Sequence, residues 1–330
     1  MRIIDLFAGI GGIRKGFELA GQTQGEAVDC VFTSEWDKFA CQTYSANYQG
    51  EKIAGDITEV SELNIPPHDV LLAGFPCQPF SQAGLKKGFN DTRGTLFFDI
   101  ERILRHHMPP VFLLENVKQL KGHDKENPKD KIGRTFRVIL EVLDGIGYKV
   151  SWQVLKARDF GVPQNRERIY IVGFLDHNID FTFPAPLNQE TRVRDILQRR
   201  VDPKYTISDR LWEGHQRRKI ENRRNGKGFG YGLFSADAKY TNTLSARYYK
   251  DGSEILISQR GRNPRKLTPR ECARLQGYPE EFILPQEVSD NQFYRQFGNS
   301  VAVPVIEAIA NSIIDAQREL THRPEIIEVQ

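Results

Sequence analysis

Cysteine is scarce in this chain, and each cysteine stands alone. Cys30, Cys41, Cys77 and Cys272 are spread over 330 residues with no CxxC pair among them. That spacing argues against a structural metal site and against a disulfide framework, so reduced thiols in a reducing compartment are expected. Long apolar runs are also missing. None approaches the ~20 residues that span a bilayer, and the longest, near 169–175, has the length of a strand. The first residues, Met1-Arg2-Ile3-Ile4-Asp5, lack the apolar core of a signal peptide. There is no internal repeat and no low-complexity tract. A cytoplasmic protein without membrane association is the expectation.

What is present suits a globular fold. Hydrophobic residues make up 39% and charged residues 27%, the proportions of a soluble domain. The length allows one large domain and a smaller partner. The net charge of +3 hides an asymmetry. Residues 201–275 hold 17 Lys and Arg against 8 Asp and Glu, so they carry +9 and the rest of the chain −6. A basic segment on an acidic body is the footprint of a polyanion-binding module; a solvated, Arg-rich surface is the alternative.

The first half alternates short apolar runs with helical spacing, the signature of a parallel α/β sheet. Strands are expected at 2–7, 30–33, 70–74, 111–114, 150–155 and 169–174. Helices are expected at 13–20, 37–47, 95–107 and 136–146, the third from the spacing of Leu96, Ile100, Ile103 and Leu104. After Phe174 the pattern breaks. Prolines punctuate a polar stretch, 213–232 is dense in Arg, Lys and Gly, and 243–256 mixes β-formers with Tyr248-Tyr249. This region reads as a separate, irregular, β-containing module. A last helix over 305–320 carries an apolar face that needs a core, and the first domain's sheet is the expected one.

A strand ending in Asp5-Leu6-Phe7, then Gly9-Ile10-Gly11-Gly12, then a helix is a nucleotide-type site. The strict GxGxxG fingerprint fails, because Arg14 stands at the third glycine position. A dinucleotide pyrophosphate is therefore disfavoured. Glu35, at the end of the second strand, stands where a carboxylate accepts ribose hydroxyls, and Trp36 beside it can stack on adenine. The alternative is a glycine turn that only packs helix on strand.

Cys77 follows Pro76 just after an apolar strand, where ligands bind in such sheets. Taken alone, a cysteine is more often a buried inert thiol than a nucleophile. Glu115, just past another apolar strand, should reach the same cleft. Arg166 and Arg168 alternate in Gln164-Asn165-Arg166-Glu167-Arg168 and should share a face. A pair of guanidiniums there can hold a carboxylate, a phosphate or a base edge; a surface salt-bridge cluster is the alternative.

In this order the pieces resemble the DNA (cytosine-5) methyltransferase family. Asp5 to Gly12, Glu35-Trp36-Asp37, Gly55-Asp56-Ile57, Gly74-Phe75-Pro76-Cys77-Gln78, Glu115-Asn116-Val117 and Gln164 to Arg168 look like its successive motifs. Arg265 to Pro279 and Gly298-Asn299-Ser300-Val301 match the last two. The resemblance covers nearly the whole chain except about 175–261, the family's variable target-recognition region.

The resemblance implies an S-adenosyl-L-methionine-dependent, Rossmann-like mixed sheet with helices on both faces, plus a smaller irregular β-containing target-recognition domain. The catalytic domain would span 1–175 and the recognition domain 176–292, with 293–330 returning as a C-terminal helix. Phe7, Gly9, Gly11, Gly12, Glu35, Trp36, Asp56, Ile57, Pro76 and Asn299 would contact the cofactor. Cys77 would be the nucleophile, adding to C6 of a flipped cytosine so that C5 can accept a methyl group. Glu115 would stabilise the charge that develops on the ring, Arg166 would hold the base at O2, and Arg168 completes the catalytic set. Ser81, Gln82, Lys86 and Lys87 belong to a glycine-flanked loop suited to clamp DNA. In the basic module, Thr243, Arg247, Tyr248 and Tyr249 are the base-readout candidates, while Arg217, Arg218, Arg223 and Arg224 would touch phosphates. The expected partner is double-stranded DNA, bound by a monomer, with functional pairing to a restriction endonuclease. A tRNA cytosine methyltransferase of the same fold, a non-catalytic DNA-binding protein and a nicotinamide dehydrogenase are the competing readings. The base that removes the C5 proton is not evident.

Overall fold

The computed structural model describes residues 1–76, 96–125, 127, 129–187 and 189–321. Its centre is a six-stranded sheet: β1 (Arg2–Leu6), β2 (Asp29–Ser34), β3 (Val70–Gly74), β4 (Val111–Val117), β5 (Lys149–Lys156) and β6 (Glu167–Phe174), in the order β2-β1-β3-β4-β6-β5. Pairs β2/β1, β1/β3 and β3/β4 are parallel. β6 inserts antiparallel between β4 and β5. The sheet is therefore mixed. Apolar periodicity alone suggested a parallel one, because a strand buried on both faces looks the same in either direction.

Alternation along the strands divides the core. Val70 and Leu72 face one side, with Ile13 and Phe17 of α1 (Gly12–Gln24); Leu71 and Ala73 face the other, with Ile100, Ile103 and Leu104 of α3 (Phe97–His107) and Phe136, Ile139 and Leu143 of α4 (Arg134–Ile146). Each such fully buried side chain stabilises the fold by about 1.5–3 kcal/mol. Between them in sequence, α2 (Lys38–Asn47) starts at Asp37, whose carboxylate accepts from the Phe39 and Ala40 amides.

The basic region contains α5 (Asp209–Arg224), then β7 (Leu233–Phe234), β8 (Leu256–Gln259) and β9 (Arg262–Arg265) in a small three-stranded sheet. α5 lies where irregular chain was expected. Ser208 caps it, and of its residues only His215 is buried, so no apolar stripe marks it. Residues 243–255, expected to be β-rich, form turns. Next come α6 (Pro269–Leu275), α7 (Asp290–Asn299) and α8 (Val303–Thr321). A core of Leu244, Tyr248, Leu275, Phe293 and Phe297 also takes in Ile10 and Ala40, so this region is joined to the glycine turn by packing.

α8 returns to the main sheet as its apolar face requires. It crosses α1 at Gly16, where a Cβ would come within 2.5 Å of Ile306 Cβ. By averaged hydropathy an 18-residue window within Asp290–Glu319 is apolar enough to cross a membrane, and 61% of that window is buried inside the protein.

Candidate active site

A cavity of about 780 Å3 opens at the carboxyl ends of β1 to β4. Phe7, Gly9, Gly12, Glu35, Trp36, Asp56, Ile57, Pro76 and Asn299 all line it, together with Glu115 and Arg168. Of the sequence-predicted cofactor and catalytic residues that the structure describes, all but two are thus brought to one place.

Gly11 is the first. It does not line the cavity but shapes the turn. Its φ is +78°, and a Cβ would sit 2.4 Å from the Tyr48 ring. The Tyr48 hydroxyl donates to the Gly11 carbonyl at 3.0 Å.

Arg166 is the second. It does not line the cavity, and its two terminal nitrogens are taken up by backbone: Nη1 donates to the Leu244 carbonyl at 2.9 Å, and Nη2 donates to the carbonyls of Gly298 and Ser300, while the buried Nε has no partner among the described residues. The two arginines do lie together, but Arg168 is the one that faces the cavity.

Glu35 is fixed by its neighbours. Oε2 accepts from the Gly9 amide at 2.7 Å, and Oε1 accepts from the amides of Trp36 and Asp37 at 2.9 and 2.7 Å. Burial raises its pKa while these amides oppose the shift. Trp36 is 80% exposed, an unusual position for an indole and one open to stacking. The 55–58 segment joins them because the Ser34 hydroxyl donates to the Gly55 carbonyl and the Ala54 amide donates to the Thr33 carbonyl. Asp56 Oδ1 accepts from the Thr58 amide and hydroxyl.

These residues fit a cationic nucleoside better than a dinucleotide. Acidic side chains along the cavity outnumber basic ones, five to two. Arg14, in place of the third glycine, turns into the interior: it lies over the Tyr48 ring, donates to Glu18 at 2.7 Å and pairs with Glu51. No arginine is therefore left at the turn for a pyrophosphate.

At the other end of the cavity, Glu115 lies within β4 rather than past it, opposite Gly74 in the β3/β4 register. Arg168 Nε is 3.1 Å from Glu115 Oε1. Burial pushes the Glu115 carboxyl up, against the charges of Arg168 and Arg166. A carboxyl whose pKa is raised in this way keeps its proton more readily than an exposed one and is suited to general acid–base work. Three residues beyond Gly74 stands Cys77, which lies outside the described residues, as do Ser81, Gln82, Lys86 and Lys87.

Several contributors were missed. Asn116 donates to the Phe75 carbonyl at 2.9 Å, fixing the backbone that leads to Pro76; its place next to Glu115 was the available signal. Ser300, Val301, Arg295 and Gln296 line the cavity from α7 and the turn after it. Asp5 is fully buried under the turn, with Oδ2 lacking a hydrogen-bond partner.

Among the DNA candidates, Arg247 is exposed and Tyr249 half-buried. Tyr248 is not available to a base. It is completely buried, its hydroxyl donates to the Ile255 carbonyl at 2.6 Å and accepts from the Leu267 amide at 2.8 Å, and its ring packs edge-on against Tyr294. The Thr243 hydroxyl donates to the Asn165 carbonyl at 2.6 Å. Arg217, Arg223 and Arg224 are exposed on α5, while Arg218 pairs with Asp251 at 3.0 Å.

A Rossmann-like mixed sheet, a glycine turn beside a ribose-type carboxylate and an acidic cavity define the class of S-adenosyl-L-methionine-dependent methyltransferases. The fold alone is also seen in the Dnmt2 methyltransferase of S. pombe, with a TM-score of 0.74, 20% identity and coverage of 98% of this chain and 99% of that one. The particular family follows from sequence. The model of the C-5 cytosine-specific DNA methylases matches residues 1–315, and the chain belongs to that family. It is 66% identical over 322 residues to the type II methyltransferase M.NlaX of Neisseria lactamica, covering 98% of this chain and 99% of the relative. It is 62% identical over 317 residues to M.SsoII of Shigella sonnei, with 95% and 80% covered. The protein is a DNA (cytosine-5) methyltransferase that uses S-adenosyl-L-methionine and acts on double-stranded DNA.

Proposed function

We propose that Cys77, Glu115 and Arg168 carry the reaction and that the Glu35 end of the cavity holds the cofactor. The observation that carries this reading is the Glu115–Arg168 pair beside Gly74, in the same cavity as Glu35 and Trp36. S-adenosyl-L-methionine supplies an electrophilic methyl group when bound. Glu35 would accept the ribose hydroxyls, Trp36 and Ile57 would flank the adenine, and Gly9, Gly12 and Asn299 would close around the remainder.

C5 of cytosine is a weak nucleophile. The Cys77 thiolate adds to C6, forming an S–C6 bond and moving electron density toward C5 and N3. Glu115 hydrogen-bonds at N3 and supplies the proton that neutralises the ring. Arg168 orients Glu115 and offers a second donor to the base. Once C5 is methylated, a base removes its proton, the S–C6 bond breaks, Cys77 leaves as thiolate and the N3 proton returns to Glu115. The target atom is inaccessible in a stacked duplex, so the cytosine must be flipped into the cavity.

Arg247 and Tyr249 read bases, and Arg217, Arg223 and Arg224 hold phosphates. The loop with Ser81, Gln82, Lys86 and Lys87 clamps the duplex. The catalytic unit is 1–175 and the recognition unit 176–292, with 293–330 closing the first. The enzyme works as a cytoplasmic monomer that protects DNA from a cognate restriction endonuclease, a reading supported by relatives named type II methyltransferases.

Labelled S-adenosyl-L-methionine offered with genomic DNA and with tRNA tests the substrate. Label should enter 5-methylcytosine of DNA at one recurring sequence. Greater incorporation into tRNA would overturn the reading.

A further inference from the structure

Arg166 is buried to 2% exposure and does not line the cavity, yet its two terminal nitrogens donate to three backbone carbonyls. Its acceptors come from two distant segments. One is the carbonyl of Leu244, three residues before Arg247. The others are the carbonyls of Gly298 and Ser300, which flank the cavity-lining Asn299. Gln164 completes the clasp. Its Oε1 accepts from the Leu244 amide at 2.9 Å, so both backbone groups of Leu244 are held by side chains two residues apart at the entry to β6. Gln164 Nε2 also donates to Gln276 Oε1, and Gln276 donates to the Phe297 carbonyl. The two segments meet with no room to spare: a Cβ on Gly298 would lie 2.3 Å from the Ala246 amide nitrogen.

We propose that Arg166 is a positioning residue that locks the DNA-reading segment beginning at Ser245 to the cofactor turn 298–300, and does not bind the base. This rests on the reading of Arg247 and Tyr249 as DNA-facing. The physical reason for arginine is its rigid planar fork, whose donors sit on separate nitrogens and reach acceptors on two segments, where a lysine gathers its three donors on one nitrogen at the end of a flexible stem. The same short stretch then delivers Arg168 to Glu115. Cofactor turn, reading segment and catalytic carboxyl are held in register from one strand end.

The test uses Arg166→Lys and Gly298→Ala in the full chain, each checked for folding by thermal melting. Two quantities are measured: binding of S-adenosylhomocysteine by calorimetry, and the ratio of methylation on the preferred duplex to that on a duplex with one base pair changed. Arg166→Lys should weaken S-adenosylhomocysteine about 10-fold and lower the discrimination ratio about 10-fold, the scale of one lost charged hydrogen bond. Gly298→Ala, which pushes the same segments apart without touching Arg166, should move both in the same direction. Arg168→Lys should lower kcat and leave both where they are. If Arg166→Lys lowers kcat with both quantities unchanged, Arg166 acts on the base and the proposal is overturned. If neither variant folds, Arg166 is a core support and the proposal is equally overturned. Unchanged site preference in Arg247→Ala would withdraw the DNA-facing reading of the segment, and the S-adenosylhomocysteine measurement would still decide the hold on the cofactor turn.

Discussion

Arg168 Nε lies 3.1 Å from Glu115 Oε1, joining the start of β6 to β4 at the floor of the cavity. Neighbouring strands β4 and β6 run antiparallel there, with Val117 opposite Arg168, so the guanidinium arrives from the side. Glu115→Gln keeps the shape and removes the proton. Its kcat should fall by about 10²–10⁴-fold, while S-adenosylhomocysteine affinity stays within a factor of two or so, since the cofactor end is untouched. Single-turnover kinetics and calorimetry on the same variant check both halves.

Glu35 accepts three backbone amides at 2.7–2.9 Å. Glu35→Gln replaces one acceptor oxygen by a donor facing N–H groups. A lost charged hydrogen bond is worth about 1.5–3 kcal/mol, so the dissociation constant for S-adenosylhomocysteine should rise by about 10- to 100-fold. Unchanged affinity would remove Glu35 from the cofactor site.

Asp5 gives the pH dependence. Burial raises its carboxyl from 3.8 to about 8, with Arg14 opposing. The folded state therefore keeps a proton that the unfolded chain has released. Stability falls as pH rises between those two values, the reverse of an ordinary paired carboxylate. Asp5→Asn should flatten the denaturation midpoint across pH 5 to 8, measured in urea at several pH values. A wild-type midpoint that climbs steadily over that range would contradict the assignment.

Adjacent residues of the recognition segment should behave differently. Arg247→Ala should relax preference at one base pair, by about 1–3 kcal/mol. Tyr248→Phe should leave preference alone and destabilise the fold by about 1–3 kcal/mol, because two buried backbone groups lose their partner. Arg223→Ala should weaken binding to all sequences and lower the salt slope by about one. Methylation profiling on a panel of duplexes, with salt titrations, separates the three.

The sequence was most legible where burial is two-sided. β3 matches its apolar run residue for residue, and Asp37 marks the start of α2 as a cap should. The insertion of β6 between β4 and β5 leaves no trace in periodicity, so strand order was not readable. α5 has a single buried residue, and without an apolar stripe its helical period is invisible. Tyr248 and Tyr249 look alike in sequence, and only packing against Tyr294 separates them. Alternation put Arg166 and Arg168 together, but it could not say which one meets Glu115. That choice depends on Leu244 and on the turn at Gly298, both more than 75 residues away in the chain.

The proposed mechanism passes through a covalent Cys77–cytosine intermediate. It is tested most directly with a duplex carrying 5-fluorocytosine at the methylated position, incubated with S-adenosyl-L-methionine and examined by denaturing electrophoresis and peptide mapping. Fluorine at C5 cannot be removed as a proton is, so the S–C6 bond should persist. Wild type should give a stable adduct at the peptide containing Cys77, and Cys77→Ser should give none. An adduct that survives Cys77→Ser, or one that maps to another residue, would contradict the account.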